Sequence, residues 1–136
     1  MIYADNAATT KISDSVLDKM LPFLQEQFGN ASSQYSLGTK ARRAIEQARQ
    51  QVAMAIGAEH SEIVFTSGGS ESNNWVLSSV NKGHVITSSI EHHSVLNSCH
   101  LLESKGVDVT YLPVDSKGRV SLNSIKGAIR SDTILA

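Results

Sequence analysis

The chain reads as an α/β protein whose sheet has parallel strands joined by crossover helices, and two observations carry that reading. From Glu62 onward, short runs rich in β-branched and aromatic residues alternate with segments of helical apolar spacing. The turns that separate them carry glycine or Ser/Asn/Asp clusters, and this rhythm of strand and helix is the signature of βαβ units.

The elements follow in order. An extended arm, Ile2-Tyr3-Ala4, leads past Ser13 and Asp14, both good N-caps, into a helix with Val16, Met20, Leu21, Phe23 and Leu24 on its apolar side. A polar loop runs from Gly29 to Gly38. Ala41, Ala44, Ile45, Ala48, Val52, Ala55 and Ile56 then mark a long helix of small residues, with Gly57 as its stop. Plain core packing is the expected use of both apolar faces, and Arg42 and Arg43 are expected in solvent. Beyond them the spacing predicts a strand over 62–66, a helix over about 70–80, a strand over 84–87, a helix over 93–104, a strand over 107–112, a helix over 122–130 and a last strand from 133.

Composition narrows the function. Twelve basic and 13 acidic residues nearly cancel, so nothing electrostatic favours a nucleic acid or an anionic membrane surface. No apolar run approaches the roughly 20 residues that span a bilayer, and the start lacks the basic and apolar regions of a signal peptide. One cysteine forms no intrachain disulfide, so a cytoplasmic setting is expected. The five histidines show no ligand-type spacing, and no metal site is expected. His84 reads as a strand-entry residue and His93 as a solvent-side helix start. Cys99 recurs with Val95 and Leu102 at helical spacing and is read as a small buried apolar residue. Every lysine falls in a polar turn or on a polar helix side, where its charge is solvated.

Two segments carry chemistry. Thr66-Ser67-Gly68-Gly69-Ser70-Glu71-Ser72-Asn73-Asn74 is a glycine-centred turn after an apolar run and at the start of a helix. Such a junction offers backbone donors, a positive helix end and, at Gly68 and Gly69, no Cβ to keep an anion away; Ser70 adds a hydroxyl. The turn serves equally as a plain helix cap, and it matches neither the Walker pattern nor the dinucleotide fingerprint. The second segment is Ser88-Ser89-Ile90-Glu91-His92-His93-Ser94-Val95, after the strand at Val85 to Thr87. Loops leaving the carboxyl ends of neighbouring parallel strands converge on one crevice, so His92 is expected to face whatever Gly69 and Ser70 hold. An imidazole stacks on planar rings and shuttles protons, which suits a phosphorylated aromatic cofactor.

Four segments together resemble the cysteine desulfurases of the class V aminotransferases, which use pyridoxal 5′-phosphate. They are Tyr3-Ala4-Asp5-Asn6-Ala7-Ala8-Thr9-Thr10, Gly29-Asn30-Ala31-Ser32-Ser33, Phe65 to Asn74, and Glu91-His92-His93-Ser94-Val95. The resemblance implies the fold of pyridoxal-phosphate transferases of fold type I, here as an incomplete N-terminal half of the large domain over 15–136, with 1–14 as an arm on the small-domain side. It implies that Gly69 and Ser70 hold the cofactor phosphate and that His92 stacks on the pyridine ring as the catalytic histidine. The substrate-side loop would involve Asn6, Ala7, Asn30, Ser33 and Tyr35. The implied reaction removes sulfur from L-cysteine, giving L-alanine and an enzyme persulfide. The sulfur would go to acceptor or iron–sulfur scaffold proteins, and the complete protein would be a homodimer.

The chain departs from the family pattern at Tyr35, where a histidine is usual, at Ala31, where proline is usual, and at Ser70, where threonine is commoner. Ser70 keeps the hydroxyl, whereas Tyr35 bears on substrate preference, cysteine against selenocysteine. Family members are roughly three times this length. The family's cofactor lysine, its acid partner to the ring nitrogen and its mobile cysteine would lie beyond Ala136. The chain alone is therefore expected to be inactive, to unfold with weak cooperativity and to show no absorbance of a lysine-linked cofactor. The alternative is a non-catalytic remnant that binds the cofactor or a desulfurase protomer.

Overall fold

The computed structural model describes residues 2–136; Met1, the first residue of the expected arm, lies outside them. Contacts divide the chain into two compact units, one ending at Val64 and one running from Phe65 to Ala136.

The first unit is helical. Helix α1 spans Asp14–Gln25 with Ser13 at its N-cap, but the Ser13 hydroxyl pairs with Ser15 Oγ at 3.3 Å and makes no cap bond. The apolar side of α1 is not buried as core packing requires: Val16, Met20, Leu21, Phe23 and Leu24 all remain exposed. An apolar helix stripe is covered only where a second layer lies on it, and none within this unit does so. Helix α2 covers Ser36–Ile56 and ends on Gly57, whose φ of 69° is the left-handed conformation of a helix stop. It begins two residues before the expected end of the polar loop, so Gly38 is helical and buried. A Cβ there would lie 2.5 Å from the Ser33 carbonyl oxygen and 2.6 Å from that of Asn30, so only glycine lets the loop fold back on the helix. Arg42 is not merely solvated: its Nη2 donates to the same Ser33 oxygen at 3.0 Å.

The expected strand over 62–66 does not form. Glu62 closes a 3-10 turn, His60–Glu62, whose capping box has the Glu59 amide donating to Glu62 Oε2 at 2.8 Å. Residues 63–66 belong to no strand, and the Ile63 carbonyl accepts from the Arg49 guanidinium instead. β-propensity expresses itself only where a neighbouring strand supplies a ladder, and among the described residues none pairs here.

The second unit is the α/β layer. In chain order it comprises α3 (Gly69–Ser78), β1 (His84–Ser88), α4 (His93–Ser104), β2 (Asp108–Leu112), α5 (Leu122–Ala128) and β3 (Thr133–Leu135). The sheet order is β2-β1-β3, both pairings are parallel, and β1 pairs in register from His84 opposite Asp108 to Ser88 opposite Leu112. The chain steps outward from β1 to β2 and then back across to β3. Right-handed crossovers therefore demand α4 and α5 on opposite faces. Leu77 of α3, Val85 of β1, Cys99 and Leu102 of α4, and Val107 form the buried core. Cys99 is fully buried, and desolvation raises its thiol pKa, so it is a packing residue as its spacing predicts.

His84 does more than enter a strand. It is wholly buried, with Nδ1 2.8 Å from Thr133 Oγ1 on one neighbouring strand and Nε2 2.8 Å from Thr110 Oγ1 on the other. A polar clasp thus crosses the sheet inside the layer.

Candidate functional site

Helix α3 starts on the turn the sequence singles out. Gly68 is its N-cap with φ 165° and ψ 175°, an extended backbone open to any residue. What the glycines contribute is space: a Cβ built on Gly68 or Gly69 would meet no atom within 4 Å. The first helical bond is Ser72 N–H to the Gly68 carbonyl at 3.2 Å, so the amides of Gly69, Ser70 and Glu71 have no intrahelical acceptor. Ser70 is exposed and its hydroxyl is uncommitted among the described residues.

Glu71 decides whether those donors are available to an anion. Its carboxylate accepts from the Ser67 amide at 2.6 Å and the Ser67 hydroxyl at 2.7 Å. It is therefore drawn onto the preceding turn rather than folded over the helix end. These bonds hold its pKa below the usual 4.5, the hydroxyl contributing most and the amide next. A depressed carboxylate pKa stabilises the fold above the unfolded value, and that contribution fades as pH falls through the folded one. Ser67→Ala should move the Glu71 titration midpoint, followed by carbonyl NMR, upward toward 4.5; an unchanged midpoint would show that the hydroxyl bond is not formed. Thr66 Oγ1 and Ser72 Oγ, 2.8 Å apart, fasten the turn from its other side.

His92 sits where β1 hands over to α4. It is the N-cap of α4, and its Nδ1 accepts the Ser94 amide at 3.1 Å. A nitrogen that accepts an N–H carries no hydrogen, so the neutral ring holds its proton on Nε2. Nε2 has no protein partner among the described residues. The next residue, His93, is exposed and tilted against His92 with ring centroids 6.3 Å apart.

Ser70 and His92 line the same cleft, an open groove of about 510 Å³ between the N-terminal turns of α3 and α4, with Asn74, His93, Ser94, Asn97, Ser98 and Leu101. Its polar groups are hydroxyls, amides and imidazoles, which suit an uncharged or anionic ligand. A second cavity of about 410 Å³ is lined chiefly by Val85, Ile86, Leu112, Ile125 and Leu135 and offers no cluster of anion donors. The α3–α4 cleft thus brings together Ser70, at a helix end whose first amides have no intrahelical acceptor, and His92, whose Nε2 has no partner among the described residues.

The remaining candidates belong to the unit ending at Val64. Asn6 and Ala7 lie exposed on a turn in which the Asp5 carbonyl accepts the Ala8 amide at 3.1 Å and the Asn6 carbonyl accepts Thr10 Oγ1 at 3.0 Å. Asn30 Oδ1 accepts the Ser32 amide at 2.9 Å, an Asx turn, and its carbonyl accepts the Ser33 amide at 3.0 Å. Tyr35 is the exposed N-cap of α2 and makes no side-chain cap bond.

Sequence reading missed Asn73, Asn74, Ser94 and Ser98, which bridge α3 and α4. Their signal was a pair of adjacent amides facing two serines one helical turn apart, visible only once two helices are known to pack.

Comparison with known proteins bears on the family and the fold. Over 140 aligned residues the chain is 51% identical to a cysteine desulfurase IscS of Methanosarcina thermophila, covering 98% of this chain and 35% of that protein. It is likewise 51% identical to a cysteine desulfurase IscS of Dictyoglomus turgidum, covering 98% and 36%. Among solved structures, a NifS-like protein superposes with a TM-score of 0.91 at 40% identity, covering 96% of this chain and 38% of that one. A structure titled SspA in complex with cysteine gives 0.88 at 45% identity, covering 98% and 40%. The chain thus spans about a third of the length of the curated relatives it matches and shares the fold of the corresponding part of NifS-like proteins. The model of the class-V aminotransferase family matches residues 2–136, and the chain belongs to that family.

Proposed function

We propose that the α3–α4 cleft holds pyridoxal 5′-phosphate in a cysteine desulfurase that takes sulfur from L-cysteine, leaving L-alanine and an enzyme persulfide. One observation carries the reading: Ser70, at a helix end with unpaired amides, and His92, with its proton on Nε2, line one cleft. The amides of Gly69 and Ser70 and the Ser70 hydroxyl take the phosphate, aided by the positive end of α3. The His92 ring takes one side of the pyridine and presents an N–H at Nε2. When bound, the cofactor supplies an electron sink for bond breaking at the amino acid substrate. The relatives named cysteine desulfurase and the neighbour titled as a complex with cysteine support that substrate class. The same reading makes the turn at Asn6 and Ala7 and the loop at Asn30, Ser33 and Tyr35 the substrate side. It also makes the complete protein a cytoplasmic homodimer that passes sulfur to acceptor or iron–sulfur scaffold proteins.

Pyridoxine 5′-phosphate, which lacks the aldehyde and cannot react with lysines, provides the test. Titrated against the chain by calorimetry, its affinity should fall about tenfold or more in Ser70→Ala, the loss of a hydrogen bond to a charged group. It should fall about three- to tenfold in His92→Ala, the loss of a ring contact. Inorganic phosphate should respond to the first substitution only. Affinity unchanged in both variants would end the reading.

A further inference from the structure

We infer that Asn73, Asn74, Ser94 and Ser98 are positioning residues that hold the His92 imidazole in fixed relation to the Ser70 turn, so that one ligand with a phosphate and a planar ring engages both. This rests on the proposed occupant of the cleft for its functional meaning and on hydrogen bonds alone for its geometry.

The bonds form a chain with a candidate ligand contact at each end. Asn74 Nδ2 donates to the Ser70 carbonyl at 2.7 Å. A carbonyl can only accept, which fixes the amide orientation and leaves Asn74 Oδ1 to accept from Ser98 Oγ at 2.9 Å. Ser98 Oγ also lies 2.8 Å from the Ser94 carbonyl, one turn back along α4, so its single proton is shared between the two acceptors. Asn73 Nδ2 donates to Ser94 Oγ at 2.9 Å, and Ser94 Oγ stands 2.9 Å from His92 Nδ1. With its lone pair engaged by Asn73, the Ser94 hydroxyl has its own proton to give to Nδ1, beside the Ser94 amide that already donates there.

Two consequences follow. The donors converging on Nδ1 fix both the ring rotamer and the tautomer, leaving Nε2–H as the free group. The two asparagines, adjacent on α3, tie its first turn to two serines one turn apart on α4, so the anion donors and the imidazole cannot drift independently. Ser98 is buried, and Asn73 and Ser94 are half-buried, so losing either partner leaves a polar group poorly solvated.

A purely structural bridge between helices would not alter the hydrogen bonding at His92 Nδ1, which nitrogen-15 NMR of labelled histidine reads directly together with the tautomer. The wild-type His92 should show an unprotonated, hydrogen-bonded Nδ1 and a protonated Nε2. Asn73→Ala and Ser94→Ala should leave the proton on Nε2, where the Ser94 amide keeps it, but move the Nδ1 resonance toward that of a more weakly hydrogen-bonded nitrogen, and Ser94→Thr, which keeps the hydroxyl, should restore the wild-type pattern. In parallel, preference for pyridoxine 5′-phosphate over inorganic phosphate should drop about five- to tenfold in Asn73→Ala and Ser94→Ala but hold in Ser94→Thr. A wild-type ring protonated on Nδ1, or an Nδ1 resonance and ligand preference indifferent to both alanine substitutions, would overturn the inference. Failure of the wild type to prefer pyridoxine 5′-phosphate would instead remove the proposed occupant, with the Nδ1 measurement still deciding the positioning role.

Discussion

Replacing His84 with leucine is expected to cost the α/β unit about 3–5 kcal/mol, the largest effect of any single substitution considered. The side chain is wholly buried and its two nitrogens satisfy hydroxyls on both flanking strands, Thr110 and Thr133. Leucine approximates the volume but leaves the half-buried Thr110 hydroxyl without its partner and takes one of two partners from the half-buried Thr133 hydroxyl. The two partners are not equivalent. Thr133 Oγ1 also accepts the Arg130 amide at 2.8 Å, whereas Thr110 Oγ1 has only His84 among the described residues. Adding Thr110→Val to His84→Leu should therefore recover stability, by about 1–2 kcal/mol, because both ends of that bond become apolar. Adding Thr133→Val should recover little, since it orphans the Arg130 amide. Native-state hydrogen exchange at the β1 amides of the single and double variants measures both; equal recovery from the two valines would show that the clasp is not wired this way.

Gly38→Ala should destabilise the helical unit by about 1–3 kcal/mol. The new Cβ would lie 2.5 Å from the Ser33 oxygen and 2.6 Å from the Asn30 oxygen, both backbone atoms that cannot swing aside as a side-chain tip would. Relief requires the 30–33 loop to lift off α2, which breaks the Arg42 bond to Ser33 and loosens the Asx turn at Asn30. Hydrogen exchange at the Ser33 amide, bonded to the Asn30 carbonyl, should quicken in the variant. Exchange at wild-type speed would mean that the loop tolerates the methyl. Because Asn30 and Ser33 are proposed to lie on the substrate side, the same variant tests whether that loop must be held rigid.

The helices and strands after residue 68 were legible because apolar spacing of period 3.6 or 2 is a local property. Helix α4 begins and ends where the spacing put it, and the start of β1 matches. The strand over 62–66 failed because a ladder needs a second strand, which composition cannot supply. The burial expected for α1 failed in the same way, since an amphipathic stripe says what could be covered and not what covers it. The two chemistry-bearing loops were legible as types, a glycine turn and a histidine at a helix start, but the parallel-sheet rule expected to join them needed the strand over 62–66, which does not form; the packing of α3 against α4 puts Ser70 and His92 on one cleft instead. Their supports were not legible. Arg42 on Ser33, Asn73 on Ser94 and His84 between two threonines are pairings between residues 9, 21 and, for His84, 26 and 49 positions apart, set by packing rather than by any local motif.

The central claim is that the helix-end donors at Gly69 and Ser70 and the ring of His92 form one binding site. A titration of the nitrogen-15-labelled chain with pyridoxine 5′-phosphate tests it most directly. The Gly69 and Ser70 amide resonances and the His92 ring resonances should shift along a single saturation curve with one dissociation constant. Amides that respond identically to inorganic phosphate while the imidazole stays unmoved would contradict the account.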